Sequence, residues 1–201
     1  VRGLVAFLCS ADSTLRLYGA VTIGNLAAEE QHQESIVGMG ALAPLISVSN
    51  AADLETQRCI AYALCNLASA SHHRDAIVHE GGLVPLISLA CSEDVDDQIA
   101  AIGTVRGLAA NPAYRTKIVA EGALEPLTMS GERCTDTRVL REVTQCSMNL
   151  ALHEANKLPI AESGLLPVLT LLAGHRDPVV SSHACGALAN LAENVRTHEL
   201  V

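Results

Sequence analysis

The sequence predicts an all-α fold, an α-solenoid of stacked helical repeats, and three observations support this prediction. A block ending in Leu-Ala occurs five times, and its leucines are spaced by about 41 residues, a period typical of helical repeats. A proline recurs with the same period. Hydrophobic residues make up 49% of the chain but aromatic residues only 2%, which favours closely packed helices over an aromatic-rich β-sandwich. These leucines and prolines are Leu26, Leu67, Leu108, Leu150 and Leu191, and Pro44, Pro85, Pro126 and Pro167.

Each repeat is predicted to contain three helices. Ile60, Leu64 and Leu67 are spaced as on one face of an amphipathic helix, which is the long third helix of its repeat. A glycine stands four residues before each of the first three prolines. This pattern indicates that a first helix ends at the glycine and a second begins with proline in its first turn. The predicted repeats cover about 31–70, 71–110, 111–153 and 154–193, between a partial repeat at 1–30 and a stub at 194–201.

The last full repeat departs from this pattern. It has Ser163 where the others have glycine, and Pro159 at the position of the isoleucines Ile36, Ile77 and Ile118. We therefore expect its first helix to be shifted or shortened. The chain lacks an initial Met and begins and ends within a repeat, so we expect it to be a fragment of a single repeat domain.

The segment IVHEGGLVPLISLA, followed by AAIGTVRGLAA, resembles the armadillo consensus, in which an apolar pair, Gly-Ala, proline and a Leu-rich helix precede ALxNLA. The match spans essentially the whole chain. HEAT repeats share the period but do not usually combine this glycine with the NLA asparagine. The resemblance implies a right-handed α-superhelix whose concave groove binds an extended peptide or a helix of another protein.

The NLA asparagine is the first candidate for partner binding. In families with this pattern it lines the concave face, and its amide, with one acceptor and two donors, holds the backbone of an extended partner. Alternatively, the amides tie neighbouring third helices together or face water. Asparagine is a poor residue for a helix interior, which favours the binding role. The matching positions are Asn25, Asn66, Asn149 and Asn190, with Gly107 in the third block.

The positions four residues before these asparagines lie one turn away on the same helix face. They contain no tryptophan, whereas nuclear-import adaptors of this superfamily usually have it there, so binding of nuclear-localisation signals is not expected. Tyr62 and Gln145 occupy two of these positions and are candidate partner contacts. Tyr62 has an aromatic face and a polar tip suited to a partner, although filling a helix interface is an equal alternative.

The net charge of −9 opposes the basic surface that nucleic-acid binding requires, so nucleic acid is excluded as a partner. The acidic run from Glu93 to Asp97 is interpreted as a solvated loop, with attraction of a basic peptide as the alternative. A basic stripe that grips acidic ligands, as in the catenin-like branch, stays open. The arginines available for it are Arg16, Arg58, Arg106 and Arg141, and Arg106 is kept as a candidate contact.

Seven scattered cysteines without a CxxC pair indicate thiols in a reducing compartment. No apolar run reaches transmembrane length and the first ten residues do not form a signal peptide. We expect a cytoplasmic protein, with nuclear or membrane-peripheral location as alternatives. Membrane anchoring through termini outside this sequence stays open.

No catalytic residue, cofactor or metal site is predicted. His72 and His73 are adjacent, but the sequence has no HExxH, GxSxG, zinc-site spacing or phosphate-binding glycine loop. The predicted function is a protein–protein interaction scaffold or adaptor, resembling vacuolar-membrane adaptors and axonemal armadillo proteins. The alternative is the substrate-recruiting armadillo region of a U-box ubiquitin ligase. A U-box in the full reading frame favours the ligase, and an N-terminal acylation motif favours the adaptor.

Overall fold

A computed structural model describes residues 2–49, 52–194 and 197 of the chain. Within these ranges all regular secondary structure is helical and there is no β-strand, which confirms the all-α prediction. The chain divides into two compact units, Val1–Leu89 and Ala90–Val201. Each unit is built from the same succession of two shorter helical segments and one long helix.

The first unit has the long helices α2 and α5 packed side by side. Both helices carry aliphatic side chains without exposed surface, among them Ile23 and Leu64, and Gly24 of α2 lies against Ala63 of α5. The two shorter segments of each repeat precede its long helix. The helices are α1 (Arg2–Leu8), α2 (Ser13–Ala27), α3 (Glu30–Gly38), α4 (Leu42–Ser49), α5 (Leu54–Ser69), the 3₁₀ turn η1 (Ser71–His73), α6 (Arg74–His79) and α7 (Leu83–Ala90).

The second unit repeats this arrangement, and its long helix α11 packs against both α8 and α14. Gly131 allows the second helices α10 and α13 to approach each other, since a Cβ at this position would collide with the Val168 side chain. The helices are α8 (Val95–Ala109), the 3₁₀ turn η2 (Pro112–Tyr114), α9 (Arg115–Ala120), α10 (Leu124–Arg133), α11 (Thr137–Ala151), α12 (Glu154–Glu162), α13 (Leu165–Ala173) and α14 (Pro178–Ala192).

An aspartate caps the N-terminus of every long helix. Its carboxylate accepts a hydrogen bond from a backbone N–H two or three residues further on, which satisfies a donor that the helix leaves unpaired. The aspartates recur with the same spacing as the leucines. Sequence reasoning missed this signal, although it is visible as a third periodic marker. The caps are Asp12, Asp53, Asp94, Asp136 and Asp177.

The C-terminal carbonyls of the long helices are also satisfied by a recurring contact. A side chain six residues further on donates to the carbonyl of Ala27, Ala68, Ala109, Leu150 or Leu191. Because the donor belongs to the next repeat, the bond sets where that repeat's first helix begins. The donors are Gln33, Arg74, Arg115, Asn156 and Thr197.

The turn between the first and second helices needs a left-handed residue in three repeats. Gly40, Gly81 and Gly122 have φ of 73°, 92° and 94°, a conformation that glycine adopts without steric cost. In the last repeat Ser163 is extended, with φ −85° and ψ 164°. The chain at Ser163 therefore forms a different turn, in which the serine backbone is not strained.

The expectation that the first helix of the last repeat is shifted or shortened is wrong. The helix begins 18 residues after the capping Asp136, as α3 begins 18 residues after Asp12. It spans nine residues, as α3 does. Ile160, not Pro159, takes the buried position of the earlier isoleucines, and all four isoleucines have no exposed surface. From Ile160 to Pro167 is seven residues, against eight from Ile118 to Pro126. The one-residue deletion lies in the turn, which explains why the left-handed glycine is absent.

Candidate partner-binding surface

Three of the predicted asparagines connect neighbouring long helices. Their Nδ2 atoms donate to a backbone carbonyl of the preceding long helix, over 3.0 Å to Gly24, 3.4 Å to Arg106 and 3.2 Å to Met148. In the preceding repeat, each acceptor lies one residue before the position that is equivalent to the donor asparagine. The structure therefore contains the inter-helix contact that the sequence left as the alternative role. The donors are Asn66, Asn149 and Asn190 in that order.

These bonds leave part of each amide for another molecule. A primary amide has two N–H groups and one carbonyl oxygen, and the inter-helix bond uses one N–H. Asn66, Asn149 and Asn190 are half-buried and Asn25 on α2 is exposed. An amide whose nitrogen is anchored in this way has a restricted orientation, which lowers the entropy lost when a partner binds. We use the name asparagine face for the surface of the long helices that carries Asn25 and Asn66 in the first unit and Asn149 and Asn190 in the second.

The third-repeat gap in the asparagine row is covered by an ion pair. Arg106 Nε lies 2.5 Å from Glu142 Oε2, and the two side chains are 34% and 23% exposed. A Cβ on Gly103 would lie 3.3 Å from the same carboxylate oxygen, so Glu142 packs over the bare helix at that point. An acidic group of a partner would have to compete with Glu142 for Arg106.

Two more of the predicted groove arginines are engaged within their own unit. Arg141 pairs with Asp177 over 3.2 Å and 2.6 Å. The Arg141 guanidinium, together with the backbone N–H of Val180, lowers the pKa of Asp177 from 3.8 to about 2. Arg16 donates to the carbonyls of Ser10 and Ala11, both over 2.9 Å. These contacts weigh against a stripe of available cations for an acidic ligand.

The candidate contacts that precede the asparagines differ in exposure. Tyr62 and Gln145 are half-buried on α5 and α11, each one turn before its asparagine. Tyr18 on α2 is 61% exposed and lies seven residues, or two turns, before Asn25. Val21, also exposed, lies between Tyr18 and Asn25 on this face. Sequence reasoning missed Tyr18; the signal was a tyrosine in register with an NLA asparagine.

The thiol of Cys146, near the Arg106 ion pair, has the properties of an unreactive cysteine. Cys146 has no exposed surface, and burial raises its pKa to about 12. The thiolate, the nucleophilic form, is therefore scarce at neutral pH. Burial likewise raises the pKa of Cys59 and Cys91. These shifts are opposite to the ones that activate a cysteine nucleophile.

A cavity of about 390 Å³ lies within the second unit, between the chain before α8 and the end of α10. Cys91 and Cys134 line it together with Gln98 and Ser130. The Gln98 Oε1 and Ser130 Oγ atoms are buried without a hydrogen-bond partner. The cavity thus has polar atoms able to accept a hydrogen bond from water or a small ligand.

Three potential metal ligands meet in the first unit. Glu34 Oε2 lies 3.3 Å from Nε2 of both His72 and His73. Hydrogen bonds from His73 and His72, in that order of effect, lower the pKa of Glu34. The carboxylate is therefore charged at neutral pH. The sequence predicted no metal site because Glu34 is remote from the histidine pair along the chain.

The recurring pair of short helices, the long helix and the amide at a fixed position of that helix define a class, the α-helical repeat proteins. The family model of the Armadillo/beta-catenin-like repeat matches residues 153–193. Together with the solved structures described next, this match shows that the chain belongs to the armadillo repeat family. No curated protein is similar enough in sequence to match the chain.

Several solved structures are similar over nearly the whole chain. One is an engineered protein, 30% identical, with 94% of this chain and 78% of that chain covered and a TM-score of 0.72. Another is a designed armadillo repeat protein in complex with the peptide (KR)4, 25% identical, with 94% and 80% covered and a TM-score of 0.73. A further designed armadillo repeat protein is 22% identical, with 98% and 84% covered and a TM-score of 0.76, and supports the fold alone. The present chain thus has the fold of an armadillo solenoid.

No helix within the described ranges has the length and apolar character needed to cross a membrane.

Proposed function

We propose that the chain is a protein-interaction scaffold that binds an extended peptide or a helix of a partner protein on the asparagine face. The observation that carries the proposal is the anchored amide. Asn66, Asn149 and Asn190 each use one N–H for the preceding helix and keep a second N–H and an oxygen for the backbone of a partner. Main-chain recognition of this kind accepts many partner sequences.

The charges favour a basic or neutral segment over an acidic one. The chain carries a net charge of −9, and Arg106 and Arg141 already pair with Glu142 and Asp177. A similar designed armadillo protein was solved with the peptide (KR)4, which supports binding of an extended basic peptide. The side chains that select among partner sequences are then Tyr62, Gln145 and the exposed Tyr18.

We further propose that the protein is a cytoplasmic adaptor that acts without catalysis and binds no nucleic acid. In the ubiquitin-ligase alternative the same surface recruits the substrate, so the following test applies to both.

The test begins with selection of peptides from a random phage-displayed library on the immobilised full chain. Affinities of the selected peptides are then compared for the wild type, Asn66→Ala, Tyr62→Ala and the double variant. If the side chains bind peptide, each lost hydrogen bond weakens binding by about two- to tenfold. Gln31→Ala, an exposed residue on α3, is the control and should bind normally. Unchanged affinity of every selected peptide for the double variant would refute the assignment.

A further inference from the structure

Glu34, His72 and His73 form the only cluster of three metal-ligating residue types within the described parts of the chain. Glu34 lies in α3 and the histidines end η1, so the cluster joins the first helical segments of two successive repeats. Both Nε2 atoms lie 3.3 Å from Oε2 of Glu34. The donor atoms of all three residues lie within 4.8 Å of one another. The helices thus bring one carboxylate and two imidazoles to a single point.

The environment of His73 prepares its Nε2 atom to be a ligand. The side chain is only 4% exposed, and its Nδ1 lies 3.3 Å from the carbonyl oxygen of Leu67. A carbonyl only accepts hydrogen bonds, so Nδ1 carries the proton and the lone pair of a neutral imidazole lies on Nε2. Metal-bound histidines usually have this second contact, which fixes both tautomer and ring orientation.

We propose that Glu34, His72 and His73 bind a Zn²⁺ ion. Zinc bonds of about 2.0 to 2.2 Å in a tetrahedron place ligand atoms about 3.3 to 3.5 Å apart, which agrees with the two Nε2–Oε2 separations of 3.3 Å. The side chains of Glu34 and His72 are 81% and 65% exposed, so solvent reaches the site and supplies a water as fourth ligand. Two imidazoles, a carboxylate and water suit zinc.

The bound ion would connect α3 to η1, whose ligands Glu34 and His72 are far apart in the sequence. Because the unfolded chain does not hold these ligands together, zinc binding would stabilise this pair of repeats. None of the three ligands belongs to the asparagine face. Without the ion, the same atoms form a histidine–carboxylate contact, and the experiment has to distinguish these two states.

The experiment uses the untagged full chain, freed of metal with a chelator and titrated calorimetrically with Zn²⁺ alone. We expect one ion per chain and a higher melting temperature. Glu34→Gln and His72→Ala should weaken binding about 100-fold or more, since losing an outer-shell partner alone costs 10- to 100-fold. His79→Ala, at an exposed histidine outside the cluster, is the matched control.

Co²⁺ substitution separates this site from binding by the free cysteines. The expected spectrum has the visible bands of tetrahedral Co²⁺ without sulfur-to-metal charge transfer. Strong charge transfer, or an unchanged zinc affinity in Glu34→Gln, would overturn the proposal. Absence of zinc binding to the wild type would also overturn it and leave the metal-free histidine–carboxylate contact as the role of the cluster.

Discussion

Replacing Asn66 by alanine tests whether the asparagine row serves stability or recognition. The substitution removes the bond from Nδ2 to the Gly24 carbonyl, whose net contribution is about 0.5 to 1.5 kcal/mol. Gly24 O still accepts the backbone N–H of Ala28 over 3.2 Å, so no buried acceptor is left unsatisfied. The loss should therefore lie near the lower end of that range.

The helix propensity acts in the opposite direction. Alanine is better than asparagine in a helix interior by up to about 0.7 kcal/mol. The two effects nearly cancel, and we expect Asn66→Ala to lower the free energy of unfolding by less than about 1 kcal/mol, or to shift the melting temperature by less than about 4 °C. The effect on peptide affinity should then be seen in a protein of almost unchanged stability.

Urea unfolding followed by far-ultraviolet circular dichroism measures this difference, with linear extrapolation where the transition is cooperative. A loss above about 2 kcal/mol exceeds what one neutral hydrogen bond contributes. Such a result, with unchanged peptide affinity, would show that the amide is part of the packing and would refute the recognition role.

Three further predictions concern the second unit and a control in α3. Gly131→Ala should lower the free energy of unfolding by about 1 to 2 kcal/mol because the added methyl overpacks the α10–α13 contact. Gly38→Ala should not lower it, because there is open space around the Cβ position of Gly38. A urea titration in which Gly131→Ala is as stable as Gly38→Ala would contradict the described packing. Because the pKa of Asp177 is lowered from 3.8 to about 2, its ionised carboxylate contributes to the free energy of unfolding above about pH 4, and this contribution is lost as the pH falls towards 2. Arg141→Gln should make the free energy of unfolding less dependent on pH in this range, as measured by acid titration. Cys146 should resist maleimide labelling until the protein unfolds, and labelling of the native state, mapped by mass spectrometry, would contradict its burial.

The sequence alone determined the helical class, the repeat period and the turn glycines. These features depend on local backbone chemistry: the period of the leucines, the restricted φ of proline and the left-handed conformation of residues such as Gly81. The aspartate caps also follow this logic and were readable from the same period. The one-residue deletion in the turn of the last repeat was also readable, because Ile160 lies 24 residues after Asp136, as Ile118 does after Asp94, but only seven residues before Pro167.

The tertiary structure decided which side chains meet across repeats. Arg106 and Glu142 are 36 residues apart, and Asn66 lies 42 residues from the carbonyl that it binds. Glu34 lies 38 residues from His72. Such pairs depend on the rotation and offset between stacked helices, which a helical period does not specify. Residue types and spacing therefore identified a repeat scaffold with an amide at one position, while helix stacking determined which of those amides, charges and imidazoles have a partner within the chain.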